Sequence, residues 1–276
     1  MALFKKVAVI GTGLIGGSIA LGLKKNGFAK TVVGVSRHEK SIALALKNKV
    51  IDQGSVSLSV IGGADLLVIA TPVKAILSLK DEILKHIGKD CVVTDVGSTK
   101  EELVKKLGRA FPGYIGSHPL AGSEKRGVLN ARASLFKDSI CILTPTKRTC
   151  AFSLRSVERL WKALGAKVVR LSPKKHDEIL SLTSHLQHAV AFSLINSVPQ
   201  SAFKFSSGGL KDTTRIAASD AVLWRDIFLS NRRNLLKAIA SFEISLAELK
   251  SALKCADAKS LEKILSRSRR KRESLK

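Results

Sequence analysis

Residues 7–27 read VAVIGTGLIGGSIALGLKKNG. Val7, Val9 and Ile10 are apolar and β-favouring, so the segment opens as a buried strand, and from Leu14 onward apolar residues return at helical spacing. Between strand and helix stand Gly11, Gly13 and Gly16 in a G-x-G-x-x-G pattern. Glycines so spaced allow a tight turn and bring the backbone close to a pyrophosphate resting on the N–H groups at the helix start. This context predicts a dinucleotide site built from Gly11, Gly13, Leu14, Ile15 and Gly16.

Downstream, TVVGVS, DLLVIAT, CVVTDV, YIGSHP, SICILTP and KVVRLS are further short apolar runs, most of them separated by helix-periodic segments. Such alternation predicts βα units around a largely parallel sheet. After LSPKK, residues 171–175, the period changes. DEILSLTSHLQHAVAFSLINSV, ASDAVLWRDIFLSNRRNLLKAIASFEISLAELKSAL and AKSLEKILSR have helical spacing and almost no strand signal. The expected architecture is an α/β Rossmann-type dinucleotide-binding domain, residues 1–172, followed by an all-α helical dimerisation domain, residues 173–276. Those helices carry more apolar face than a thin helical layer can bury by itself, which, together with the family resemblance given below, points to a two-fold homodimer; the alternative is that the faces pack on the α/β domain.

Apolar residues make up 45% and charged residues 25% of the 276, the balance of an ordinary soluble globular protein. No run approaches the roughly 18 apolar residues of a membrane span, and the N-terminus enters a strand without a signal-peptide pattern. A cytoplasmic protein without a membrane partner is expected. Cys91, Cys141, Cys150 and Cys255 form no CxxC pair and are read as buried free thiols. Lys and Arg number 47 against 22 Asp and Glu, a net +25. That surface would attract polyanions, but aromatic residues are not interleaved with the basic ones, which argues against nucleic acid as a partner. The basic block SRSRRKRESLK, residues 266–276, is read as a frayed, solvated helix end or tail.

A dinucleotide fold does not name a reaction. The second predicted strand ends in VVGVSRHEK, with Ser36 and Arg37 where NAD-selective proteins place an acidic residue. A hydroxyl and a guanidinium can hydrogen-bond a 2′-phosphate, so NADP is expected over NAD. Three further polar clusters stand out: VTDVGSTK at 93–100, GSHPLAGSEKRG at 116–127, and SHLQHAVAF at 184–192 followed by KDTTRIAASDAVLWRDIF at 211–228. The first two lie at strand ends, the edge where open α/β sheets bind ligands. The second is too rich in glycine to continue as helix or strand, which places His118 in a loop at the end of the YIGSHP strand. His185 and His188, three residues apart, share one helix face. Without a carboxylate or cysteine at matching spacing they make no metal site, and no metal is expected.

With GTGLIGGS, TDVGSTK, GSHPLAGSEKRG, SHLQHAVAF and DTTRIAASDAVLWRDIF in this order, the chain resembles the prephenate/arogenate dehydrogenase family of tyrosine biosynthesis over nearly its whole length. The resemblance implies a Rossmann-type N-terminal domain, a helical C-terminal domain that dimerises, and oxidative decarboxylation of a cyclohexadienol. It implies that His118 hydrogen-bonds the substrate's ring hydroxyl, that Ser98 helps to orient it, and that Arg215 binds a substrate carboxylate. Glu124 matches a gating acidic position. Trp224 matches a residue near the pocket and reads equally well as core.

An imidazole near neutral pKa suits a hydroxyl that becomes carbonyl-like as hydride leaves its carbon. His188, taken as a donor to a keto or carboxylate oxygen, favours prephenate over arogenate. Gln187 stands where the family has proline, which bears on the path of that helix. The competing readings are an NADP-dependent 3-hydroxyacid dehydrogenase or imine reductase, which leaves the histidines unassigned, and a basic NADP-binding regulator or nucleic-acid-binding protein, which leaves the substrate-type clusters unassigned.

Overall fold

The protein is described by a computed structural model covering residues 3–122 and 127–275. Its strands are β1 (Phe4–Ile10), β2 (Ala29–Val35), β3 (Gln53–Ser55), β4 (Leu66–Ile69), β5 (Val92–Asp95), β6 (Tyr114–Pro119), β7 (Ile140–Thr144) and β8 (Lys167–Arg170). They form one sheet in the order β3-β2-β1-β4-β5-β6-β7-β8. Every neighbouring pair is parallel except β6 and β7. All seven apolar runs are strands. The short β3 escapes sequence reading because Gln-Gly-Ser carries no apolar signal.

Strands buried on both faces need apolar residues at every position, and β1 shows why. Val7 and Val9 pack with Ile19 and Leu23 of α1 (Leu14–Lys25), Ile42 of α2 (Glu39–Lys47) and Trp161 of α5 (Ala151–Ala163). Ala8 and Ile10 face the opposite way, toward Ile76 of α3 (Val73–Leu84) and Leu103 and Leu107 of α4 (Glu101–Ala110). Strand order reverses between β1 and β4, so the crevice outside their C-terminal ends is a topological switch point.

From Pro173 onward the described residues contain helices and turns and no strand. Ser172 accepts a hydrogen bond from Lys175 N at 3.2 Å and Pro173 follows, a favourable start for α6 (Pro173–Leu180). After it come α7 (Leu186–Ser197), α8 (Gly208–Thr214), α9 (Ala221–Ser230), α10 (Arg232–Lys254) and α11 (Ala258–Glu273). Residues 266–273 of the basic block form the last turns of α11, which ends at Glu273. Cys91 and Cys141 are buried, but Cys150 and Cys255 are exposed, contrary to the expectation of four buried thiols. Along α10, Leu236 is 59% and Ile244 72% exposed, so these apolar positions do not pack on the α/β domain of their own chain. No helix among the described residues is long and apolar enough to cross a membrane.

A fully buried ion pair sits where β5 leaves the sheet. Lys100 Nζ donates to Asp95 Oδ2, and the same carboxylate accepts from Gly97 N at 2.7 Å and from the Tyr114 hydroxyl at 2.7 Å. Burial pushes the Lys100 ammonium below its ordinary pKa while Asp95 opposes that shift, and burial beside Asp95 pushes the Tyr114 phenol well up. Removing one partner of such a pair strands the other charge in a dry site. Asp95→Ala is therefore expected to lower stability by about 3–5 kcal/mol in urea titration; a loss within about 1 kcal/mol would show that Lys100 finds water or another partner.

Candidate active site

The crevice is shaped by what glycine lacks. Gly11 has φ +94°, and a Cβ there would lie 2.4 Å from the Ala70 carbonyl oxygen; a Cβ on Gly16 would lie 2.0 Å from Gly11 O. A Cβ on Gly13 would meet nothing within 4 Å, which leaves open space at the start of α1. That helix has no side-chain cap and no acidic residue in its first turn, where half-buried Leu14 and Ile15 stand. The buried Thr12 Oγ1 and Thr71 Oγ1 have no hydrogen-bond partner among the described residues. Uncapped helix N–H groups, open space and orphaned hydroxyls fit a pyrophosphate. Ser36 directly follows β2 and is half-buried, and Arg37 beside it is exposed with no ion pair among the described residues.

His118 is a strand residue, not a loop residue: it lies in β6 opposite Ile142 of β7. The loop reading fails at residues 116–119, where Gly116 is held between β5 and β7 and a Cβ would crowd Thr144 Oγ1 at 2.5 Å. His118 Nδ1 is 2.8 Å from His176 Nε2, and His176 Nδ1 is 2.7 Å from Asp177 Oδ1. Asp177 also accepts from Lys100 N at 2.8 Å and Glu101 N at 2.9 Å, so it caps α4 from a different part of the chain. Burial, then His176 and Lys100, push the His118 pKa well below its ordinary value, and burial lowers that of His176 against the opposing effect of its hydrogen bond to Asp177. Both rings are neutral near pH 7. Ser98 is half-buried in the loop joining β5 to α4, next to this cluster in sequence. Sequence reasoning passed over His176 and Asp177; a His-Asp pair at a helix start was their only signal.

The helix from Pro173 is interrupted by a π-helical turn, Ser181–His185, before α7. Such turns recur at functional sites because they re-aim side chains. His185 is buried, and its Nδ1 accepts from Asn231 Nδ2 at 3.1 Å. Asn231 donates as well to Asp177 O at 2.8 Å and accepts from Asn234 Nδ2 at 2.8 Å, which fixes the orientation of its amide. Burial pushes the His185 pKa down to about 4, so it is neutral with its hydrogen on Nε2.

His188 stacks on Trp224 of α9, with ring centroids 3.4 Å apart and planes 20° apart. His185 meets the same indole edge-on at 6.1 Å, so the two histidines do share a face. The Ser184 carbonyl, 3.0 Å from His188 Nδ1, can only accept, which places a hydrogen on Nδ1. Nε2 of His188 then donates only as imidazolium, a form that burial disfavours. The donor role used above to favour prephenate therefore does not hold for the neutral ring. Gln187 does not break the helix; its Nε2 donates to Leu182 O at 2.6 Å. Arg215 stands in a 3-10 turn, Arg215–Ala218, that packs against α7, the helix of His188; its side chain is exposed and has no ion pair among the described residues. Glu124 lies outside the described residues.

Two family models match the chain: Prephenate dehydrogenase, nucleotide-binding domain, over residues 19–170, and Prephenate dehydrogenase, dimerization domain, over residues 172–267. A prephenate dehydrogenase of Bacillus subtilis is 36% identical over 267 residues, covering 92% of this chain and 72% of the relative. A cyclohexadienyl dehydrogenase of Zymomonas mobilis is 34% identical, covering 100% of this chain and 98% of its own length. Among solved structures, prephenate dehydrogenase from A. aeolicus in complex with hydroxyphenyl propionate and NAD+ superimposes with a TM-score of 0.94 at 36% identity, covering 99% of this chain and 98% of that one. With the sheet, the glycine turn and the helical half all in the matched order, the chain belongs to the prephenate dehydrogenase family.

Proposed function

We propose that the protein converts prephenate to 4-hydroxyphenylpyruvate by hydride transfer to NADP+ and loss of carbon dioxide, with His118 as the base. The observation that carries this reading is a half-buried, neutral imidazole whose Nδ1 is engaged and whose Nε2 has no partner among the described residues, beside the edge of the sheet where a nicotinamide would lie. A bound nicotinamide supplies the hydride acceptor. As hydride departs, the ring hydroxyl turns acidic, and a neutral imidazole accepts its proton while Ser98 orients the oxygen. Decarboxylation restores aromaticity, so the protein's work is positioning and proton handling. Arg215 holds a substrate carboxylate, for which a bidentate guanidinium is well shaped, and Trp224, His185 and His188 line the helical side. Arogenate is the second reading, favoured by the accepting Nε2 of neutral His188, which suits an ammonium group. We place the domain boundary at residue 172, where Ser172 caps α6.

An assay crossing prephenate and arogenate with NAD and NADP tests this directly, and faster turnover of arogenate would select the second reading. His118→Asn should lower kcat by roughly 10²- to 10⁴-fold with little change in cofactor affinity. Arg215→Ala should act instead on KM, by roughly ten- to a hundred-fold for a lost ionic hydrogen bond. A base must be neutral, so kcat/KM of the wild type should fall as pH drops through the lowered pKa of His118, on the acid side of 6.5. Wild-type turnover in His118→Asn would end the assignment.

The preference for NADP rests on Ser36 and Arg37 at the end of β2, with no carboxylate there to reject a 2′-phosphate. One ionic contact is worth about 1.5–3 kcal/mol, so NADP should bind roughly ten- to a hundred-fold tighter than NAD, less so at high salt. Ser36→Asp with Arg37→Ala should reverse the order. Faster turnover with NAD at limiting cofactor in the unmutated enzyme would show that Arg37 points away.

The exposed apolar positions of α10 support assembly as a homodimer through the helical half. Light scattering at micromolar concentration should give about twice the chain mass, and a monomer mass would rule the dimer out.

A further inference from the structure

Hydrogen-bond chemistry dictates where every proton in the chain His118–His176–Asp177 must sit. A carboxylate only accepts, so the hydrogen between His176 and Asp177 belongs to His176 Nδ1. A neutral His176 then has a bare Nε2, which can only accept. The hydrogen in the 2.8 Å contact with His118 therefore belongs to His118 Nδ1. This leaves the lone pair of His118 on Nε2, the nitrogen that a base needs. In the other tautomer Nδ1 of His118 would face Nε2 of His176 with no hydrogen between them, and Nε2 would be blocked. The His176 ring has 0% exposure and Asp177 has 2%, so water does not replace either partner. Asp177 is itself clamped by Lys100 N and Glu101 N at the start of α4, immediately after the loop that carries Ser98.

We infer that His176 and Asp177 are positioning residues for the reaction: they hold His118 in its Nδ1–H form and draw the positive charge formed on it toward a fixed carboxylate. The inference rests on His118 being the base. When the substrate O–H bond breaks, its proton forms a bond to His118 Nε2. The resulting imidazolium keeps its Nδ1–H on His176, whose own Nδ1–H stays on Asp177, so no atom beyond the substrate proton needs to move. An orienting carboxylate one ring further away than usual performs the task of the third member of a catalytic triad.

Three variants and one spectrum test it. His176→Ala removes the acceptor and should lower kcat by roughly 10²- to 10⁴-fold with substrate KM and cofactor Kd within about two-fold. His176→Gln should recover part of the loss, because its amide oxygen can accept from His118 while its NH₂ donates to Asp177. His118→Asn serves as the reference: if it keeps turnover, the base assignment itself fails, whereas loss there with none in His176→Ala overturns only the relay. The chain has six histidines, so ¹⁵N-histidine labelling with His118→Asn and His176→Gln as assignment controls reads the tautomers directly. Wild-type His118 and His176 should both carry hydrogen on Nδ1. A His118 protonated on Nε2 in the free enzyme would overturn the proposal even if His176→Ala failed to fold.

Discussion

The carboxylate of Asp177 is the point at which this structure is tied together. It accepts from two backbone N–H groups that begin α4 and from the ring of His176, while its own backbone carbonyl takes the amide of Asn231. Through the first pair it fixes the loop that carries Ser98. Through His176 it reaches His118 on the sheet, and through Asn231 it reaches His185 and hence the indole that supports His188. One buried anion thus aligns parts of the α/β and helical halves that are far apart in sequence. The helix N-terminus it caps makes the position favourable for a negative charge.

The surroundings explain why the histidines are useful as neutral groups. A chain with net charge +25 would favour keeping added positive charge out of a shared cleft, and burial, neighbouring rings and Lys100 all act on His118 in that direction. The Lys100 ammonium is itself paired with Asp95 beneath the site, so the protein holds a fixed cation there without leaving it unmatched. In the proposed reaction, an imidazole held neutral in such a place takes the proton of the ring hydroxyl only once departing hydride has made that hydroxyl acidic.

The fold was legible because periodicity reports burial. Seven strands and the change to helices after residue 172 follow from apolar spacing, and Gly11 and Gly16 stand where a Cβ would strike backbone. What stayed hidden depends on contacts between distant residues. His176 and Asp177 sit in an unremarkable PKKHDEIL, and nothing local says that this helix start faces β6. His118 read as a loop residue because glycine was taken as a breaker, when Gly116 is small to fit beside Thr144. His188 read as a donor because sequence does not show that the Ser184 carbonyl occupies Nδ1.

A structure of the protein with NADP+ and 4-hydroxyphenylpyruvate bound is the most direct test of how this site works. The product hydroxyl should lie within about 2.6–3.2 Å of His118 Nε2, with Nδ1 still on His176 and Ser98 on the same oxygen. A hydroxyl directed elsewhere, or a His118 ring turned away from His176, would contradict the account.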